Sequence, residues 1–555
     1  MILKYAFLMP SASLHRWWLT ADRDVRAFAG GYALLLPAFL VPLLVTPILP
    51  SLDGPFHLAM ADMISKASNA ASPYADFYLP RWWPVPPGLF WATLALLGHV
   101  LLPMTALKLL IGVYIAALPI TVAALARRLG GLAVPALLAF PLTYNVALQY
   151  GFLGYTVSLP LLFVMLLHAT TVLDRRSAAL RSVAWLAGSS SLLYGLHLES
   201  YGMGLAALLA LLATTPSSPS RRWLAALSVL PSLALFTAWH VTTPYLRGPA
   251  QRTLGDAFSA LIAARKAEVA GSWFSDVLGR LAAIPTHLLR GFRDGSDRVA
   301  SAAVLILIVA YALLALRSTA RTERAHALPW VRWSVFGIAL FAYLALPHHF
   351  DAYEAMSVAP RLVPLLVAAA IVAFPRRAAS SAVVPDRPMR VLYAAVLLTG
   401  LLFAGVVVQQ YRAFADEIAD FQRVVGRIPK GQRVVGLVFD AESKVMEVDS
   451  LFRGLPSLYV ALRPATTSMV ALRYCGMRHF PCVPNGSSSV VPAPDPWDPN
   501  RFDARAALDF FDYVLVRGHA PNEVLPRKSV VKIAKSGRWS AYRTRLRGPR
   551  TGQTH

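Results

Sequence analysis

Apolar stretches of near membrane-spanning length alternate with short polar ones along most of this chain. The first covers about 28–50. Others follow near 104–126, 131–143, 156–173, 181–197, 201–215, 223–241, 299–316, 333–347, 362–375 and 391–410. The pattern predicts a polytopic α-helical membrane protein with about eleven transmembrane helices. Two longer polar segments interrupt the series. Residues 51–103 contain "YLPRWWPVPPGLFWATLALLGHVLLP", whose Trp and Pro content predicts helices lying in the membrane interface. Residues 242–298 are polar and basic, with an amphipathic helix expected in "LGDAFSALIAARKAEVAG". After residue 410 the pattern changes. "QRVVGLVFD" (432–440), "FDYVLVRG" (511–518) and "SVVKIAKSGRWSAYRTR" (529–545) read as short β-branched strands, and "PNGSSSVVPAPDPWDPN" (484–500) as a Pro-rich loop. The expected organisation is therefore an N-terminal tail (1–27), a transmembrane domain (28–410) and a C-terminal α/β domain (411–555).

Composition agrees. Of 555 residues, 56% are hydrophobic and only 15% charged, too few charges to cover a soluble protein of this length. Lys and Arg number 53 against 29 Asp and Glu, a net charge of +24. Such basicity suits nucleic acid or an anionic membrane, and the placement of the Arg residues decides. They lie in short clusters between apolar runs: Arg127 and Arg128; Arg175, Arg176 and Arg181; Arg221 and Arg222; Arg317, Arg321 and Arg324; Arg376 and Arg377. The alternate short loops 144–155 and 198–200 have no Lys or Arg, and 348–361 has only Arg361. This is the positive-inside pattern, so membrane lipid is the expected partner and nucleic acid is not. It predicts a cytoplasmic N-terminus and, with an odd number of spans, a C-terminus on the outer side of the membrane. The first apolar run is too long for the core of a cleaved signal peptide and reads as a retained anchor. The two cysteines, Cys475 and Cys482, fall in the region expected outside, where a disulfide can form; two unpaired thiols are the alternative.

The candidate chemistry gathers beside the loops expected outside. The first apolar run ends in "ILPSLDGPFHLAMADMI" (48–64), with Asp53 and His57. "TYNVALQYGFLGY" supplies Tyr144, Asn145 and Gln149; "LLYGLHLESYG" supplies His197 and Glu199; "PHHFDAYEAMSVAPR" supplies His348, His349, Glu354 and Arg361. The opposite loops offer little besides Arg. Groups able to move protons or bind phosphate thus collect at one membrane face, where a lipid-borne donor would meet an outside acceptor. Asp53 has two readings, a proton acceptor or merely the N-cap of a helix starting near Pro55. His57, four residues on and so on the same helix face, is a second catalytic candidate or makes only a local hydrogen bond. Hard oxygens from Asp53, Glu199 and Glu354 form a candidate Mg²⁺ or Mn²⁺ set. No HExxH, Walker A or GxSxG sequence occurs.

Asp53 in "LDGPFH", the interfacial "PVPPGLFWATLALLG" followed by "LKLLIGVYIAALPITVAALARRLGG", and an outside C-terminal domain together resemble the GT-C class of glycosyltransferases. Members often carry two adjacent acids where Asp53 is followed here by Gly54. The resemblance implies transfer of a hexosyl or pentosyl unit from a polyprenyl-phosphate sugar donor to an extracytoplasmic acceptor: a cell-envelope glycan, a lipid or a protein. It implies Asp53 as general base and Arg361 as a ligand of the lipid phosphate. The rival expectations are a transporter or flippase for a lipid-linked saccharide, with charges near mid-membrane, and a non-catalytic scaffold of the same fold.

Overall fold

The first helix, α1 (Arg23–Val45), starts where Asp22 accepts a hydrogen bond from the Val25 amide at 2.9 Å, a side-chain N-cap. It stops before Pro47, earlier than the hydrophobic run suggests, because a residue preceding proline is driven out of helical geometry. The computed structural model describes residues 22–66, 78–80, 85–174, 180–242, 254–269, 271–319, 329–348, 358–374, 387–462, 482–484 and 498–545. Two short helices, α2 (Gly54–Lys66) and α3 (Gly88–Gly98), lie in the first polar segment. Then follow α4 (Pro103–Arg128), a single turn α5 (Val146–Tyr150), α6 (Leu153–Leu173), α7 (Leu180–Leu196) and α8 (Leu198–Thr214). The pair α9 (Pro219–Leu227) and α10 (Leu230–Thr242) is bent by 41°. The second polar segment holds α11 (Leu254–Glu268), a helix where one was expected but without a pronounced apolar face, and α12 (Trp273–Leu288), which is the more amphipathic of the two. The bundle ends with α13 (Ser296–Thr319), α14 (Pro329–Ala345), the short α15 (Val358–Arg361) and α16 (Val363–Ala373), and α17 (Arg387–Val425).

Five described helices, α1, α4, α6, α13 and α17, are long and apolar enough to cross a membrane, or six spans if the bent α9–α10 pair is one. Three more, α7, α8 and α14, have 17 residues each, roughly 25 Å of helix against a hydrocarbon core of about 30 Å. The predicted span at 131–143 is corrected. It forms two 3₁₀ turns, Val134–Ala139 and Pro141–Thr143, buried throughout. Pro135 and Pro141 cannot donate to an α-helical ladder. The Ala133 and Val134 amides instead donate to Asp24 at 2.7 and 3.2 Å. Irregular backbone inside a membrane protein is tolerated where protein surrounds it, as it does here.

The expected domain boundary at 410 falls inside α17, which continues for 39 residues, about 58 Å. Its first half packs on α1, where Gly31 meets Leu137 and Leu397, and Gly400 meets Leu35, a close approach that small residues permit. Its second half presents Phe414, Ile418, Phe421 and Val425 at helical spacing and buries them. That face seats a four-stranded sheet made of β2 (Val434–Val438), β4 (Tyr513–Arg517), β5 (Val530–Ser536) and β6 (Trp539–Thr544), in the order β2-β4-β6-β5. β2 and β4 are parallel; β6 is antiparallel to both its neighbours. Phe421 meets Trp539 with ring centroids 4.9 Å apart. Val435, Leu437, Val514 and Val516 face the other way, into a small second core with Phe502 and Phe511, as strand alternation requires. A two-stranded pairing, β1 (Tyr78–Pro80) with β3 (Cys482–Pro484), joins the first polar segment to the C-terminal region. Cys475, the expected disulfide partner of Cys482, lies outside the described residues.

The sheet unit is also latched to the bundle. The Arg293 amide donates to Val445 O (2.9 Å) and the Glu447 amide to Gly291 O (2.8 Å). Around them Arg290 pairs with Glu447 at 3.1 Å and Arg293 with Glu442 at 2.6 Å. A third latch is steric: a Cβ on Gly454 would lie 1.9 Å from Leu52 O. Gly454→Ala is therefore expected to lower the thermal unfolding midpoint of the purified protein, at an overpacking cost of about 1–3 kcal/mol. Gly405→Ala, on α17 with nothing within 4 Å of its Cβ position, is the control and is expected to leave the midpoint unchanged or raise it.

Candidate functional site

The two ends of the bundle carry different chemistry. At one end α4 finishes in Arg127, paired with Asp22 at 2.5 Å, and Arg128, paired with Asp174 at 2.8 Å. Asp22 marks the start of α1. The end of α1, some 34 Å along its axis, leads to the opposite pole, where the candidate residues meet.

Ser51, not Asp53, supplies the side-chain cap of α2: its Oγ accepts from the Gly54 amide at 3.1 Å. The backbone of this turn is stitched to α5, with the Leu52 amide donating to Gln149 O (2.9 Å) and the Asp53 amide to Tyr150 O (3.1 Å). The approach requires Gly151. It has φ +93°, and a Cβ there would lie 2.6 Å from the Asp53 nitrogen. The Asp53 carboxylate has no hydrogen-bond partner among the described residues and stays partly exposed. Its surroundings of protein atoms disfavour the charged form and push its pKa up to about 7, against a downward pull from the Arg361 guanidinium.

His57 is held differently. The Trp91 indole N–H, which can only donate, bonds its Nδ1 at 2.8 Å, so Nδ1 carries no proton. Nε2 then carries it and donates to Gly151 O at 2.9 Å. Both ring nitrogens are engaged, and burial pushes the pKa down to about 4 against a smaller upward pull from that carbonyl. These contacts equip His57 to pin α2 and α3 to the 149–152 turn, and leave no nitrogen for receiving a substrate proton.

Arg361 is 5% exposed and ends α15. It pairs with Glu199 at 3.2 Å, and its guanidinium lies 3.8 Å from the centroid of the Phe152 ring. Tyr155 donates from its hydroxyl to Arg361 O at 3.0 Å. Glu199 lies in the first turn of α8, where His197 is the N-cap residue. The His197 ring meets Tyr155 edge-on, with centroids 5.4 Å apart. Asp53, Glu199 and Arg361 thus come together, with His197 alongside.

Others serve the scaffold. Tyr144, fully buried, donates to Phe39 O at 2.7 Å. Asn145 caps α5, accepting from the Leu148 amide (3.1 Å) and donating to Leu142 O (2.6 Å). Gln149 is buried against Gly291, and neither of its amide atoms has a hydrogen-bond partner among the described residues. His348 belongs to a neighbouring cluster: its amide donates to Glu268 at 2.6 Å, and Arg280 pairs with the same carboxylate at 2.9 Å. His348 O accepts from the Val358 amide (3.0 Å), which ties this cluster to α15. His349 and Glu354 lie outside the described residues. Among the described residues no three His, Cys, Asp or Glu side chains group to hold a metal. Of the expected Mg²⁺ or Mn²⁺ set, Asp53 and Glu199 are described, with Glu199 engaged by Arg361 at 3.2 Å, and Glu354 lies outside the described residues. Sequence reasoning missed Ser51, Gly151, Phe152 and Tyr155. The run "QYGFLGY" contained three of them, but an apolar ring that carries a guanidinium 209 positions away leaves no local signal.

No family model and no curated protein matches the chain. Among solved structures, ArnT from Cupriavidus metallidurans bound to undecaprenyl phosphate aligns with a TM-score of 0.54 at 12% identity, over 94% of this chain and 99% of that one. The apo form of the same protein aligns at 0.40 and 11% identity, over 93% and 97%. The mycobacterial arabinofuranosyltransferase AftD aligns at 0.48 and 14% identity, over 92% of this chain and 41% of that much longer one. At these identities the likeness to ArnT is one of fold. The chain is a multi-pass membrane protein with a GT-C-like fold and a small C-terminal sheet.

Proposed function

We propose that this protein is a membrane glycosyltransferase that takes a sugar from a polyprenyl-phosphate-linked donor and passes it to a hydroxyl acceptor on the outer side of a bacterial inner membrane. The observation that carries the reading is Asp53: a partly exposed carboxyl with no hydrogen-bond partner among the described residues, tuned to about 7 and placed within the field of Arg361. A general base needs a pKa near the working pH and an open oxygen. In this reading Asp53 removes the acceptor hydroxyl proton while that oxygen bonds to the anomeric carbon. The bond from the anomeric carbon to the phosphate oxygen breaks, and its electron pair leaves with the polyprenyl phosphate. Arg361, oriented by Phe152, balances the charge left on that phosphate. The GT-C-like fold supports the assignment, since ArnT was solved with undecaprenyl phosphate bound.

Asp53→Asn is expected to cut turnover of a polyprenyl-phosphate sugar by about 10²–10⁴-fold while the protein stays monodisperse, because no cap hydrogen bond is lost. Near wild-type turnover by this variant would remove the base from Asp53. Absence of turnover by the wild type with every donor offered would favour a flippase or a scaffold.

The pH profile gives a second check. A carboxyl is protonated below its pKa and cannot then accept a proton, so activity should climb as pH rises through about 7. His57 is neutral throughout that range and does not produce the limb; burial also raises the Glu199 carboxyl, so the limb must be lost in Asp53→Asn and kept in Glu199→Gln. A profile flat from pH 5 to 8 would contradict the assignment.

Orientation is tested separately. The Arg127, Arg128 and Arg221 end is assigned to the cytoplasm. Reporter fusions at Gly130 and Ser217 should read as cytoplasmic, and a fusion at the C-terminus as periplasmic. A periplasmic signal at Gly130 would reverse the scheme.

A further inference from the structure

Arg361 is fixed on two sides by groups that cannot easily move. Tyr155 holds its backbone carbonyl at 3.0 Å, and the Phe152 ring lies 3.8 Å beneath its guanidinium. Its carboxylate neighbour is built less firmly. Glu199 touches Arg361 through Oε2 alone, at 3.2 Å, while its other oxygen, Oε1, is buried with no hydrogen-bond partner among the described residues. A two-pronged guanidinium–carboxylate pair would satisfy both oxygens. This single contact leaves one carboxylate oxygen desolvated and uncompensated, which is costly. The Glu199 side chain also keeps 17% exposure against 6% for Arg361, so the acid, not the base, has room to turn away.

We propose that Glu199 is a displaceable counter-ion: it holds Arg361 in the donor-free protein and yields the guanidinium to the phosphate of the incoming lipid. The inference rests on the reading that Arg361 receives a lipid phosphate. It assigns Glu199 a positioning role. The acid keeps a buried cation paired and correctly aimed before the donor arrives, and it competes with every anion for that cation. A weakly held anion cannot displace a resident carboxylate, whereas a phosphate delivered on a polyprenyl chain gains from the burial of its lipid as well. Glu199 in this way filters ligands by requiring both charge and chain.

The test is equilibrium binding to purified, detergent-solubilised protein, with undecaprenyl phosphate and the uncharged undecaprenol as paired probes. In wild type the phosphate should bind more tightly than the alcohol, and Arg361→Ala should erase that difference. Glu199→Gln removes the competing charge with almost no change of shape. It should tighten undecaprenyl phosphate binding by about tenfold, because the guanidinium no longer has to be freed, and leave undecaprenol unchanged. Glu199→Asp, whose shorter arm draws back from Arg361, should move affinity the same way by less. A residue that merely supported Arg361 would weaken binding on substitution, so unchanged or weaker phosphate binding in Glu199→Gln overturns this proposal alone. Equal wild-type affinity for the two lipids, insensitive to Arg361→Ala, overturns the lipid-phosphate reading and this proposal with it.

Discussion

The arrangement of the site depends on two backbone hydrogen bonds, from the amides of Leu52 and Asp53 to the carbonyls of Gln149 and Tyr150. They join the turn after α1 to the turn before α6, segments almost a hundred residues apart. Once joined, the 149–152 backbone has a fixed place. Gly151 turns left-handed to admit Asp53, its carbonyl receives His57, and Phe152 is delivered under Arg361. Any side chain larger than hydrogen at position 151 would strike the Asp53 backbone and scatter the set. The acid, the aromatic bed and the guanidinium are therefore consequences of one stitched crossing.

Electrostatics then divides labour among groups that look alike in sequence. Asp53 and His57 are one helical turn apart and both surrounded by protein atoms, yet they face opposite fates. The carboxyl has no donor among the described residues and is lifted into the working range. The imidazole has a partner on each nitrogen and is held neutral. Two carboxyls, Asp53 and Glu199, share the influence of one Arg361. With all three ionised the trio is net negative, so a phosphate entering beside it needs one of the acids to withdraw or to take up a proton.

The helical layout was legible because hydrophobic periodicity and alternating Arg clusters are local signals. The strands of the C-terminal sheet were legible from β-branched runs such as "YVLVR", which occupies the buried strand β4. The segment 131–143 was misread because its apolar composition matches a span. What makes it a pair of 3₁₀ turns is a proline spacing and a carboxylate, Asp24, more than a hundred residues upstream. Of the candidate site, the distribution of ionisable residues pointed to Asp53, Glu199 and Arg361, which the structure gathers at one end of the bundle. The scaffold roles of Tyr144, Asn145 and His57 could not, since each follows from a tertiary partner: Phe39 O, the turn at Leu142 to Leu148, and Trp91. Composition records which groups are present, whereas the identity of their neighbours decides whether they react or merely hold.

Helix α17 has a mechanical consequence. One unbroken rod of 39 residues passes from the lipid-facing bundle to the underside of the sheet, and the sheet is fastened a second time at the 290–298 turn before α13. Two mounts on different helices hold the C-terminal region like a strut fixed at both ends. Between them Gly454 bears on Leu52, directly beside Asp53, so the region outside the bundle braces the turn that carries the acid.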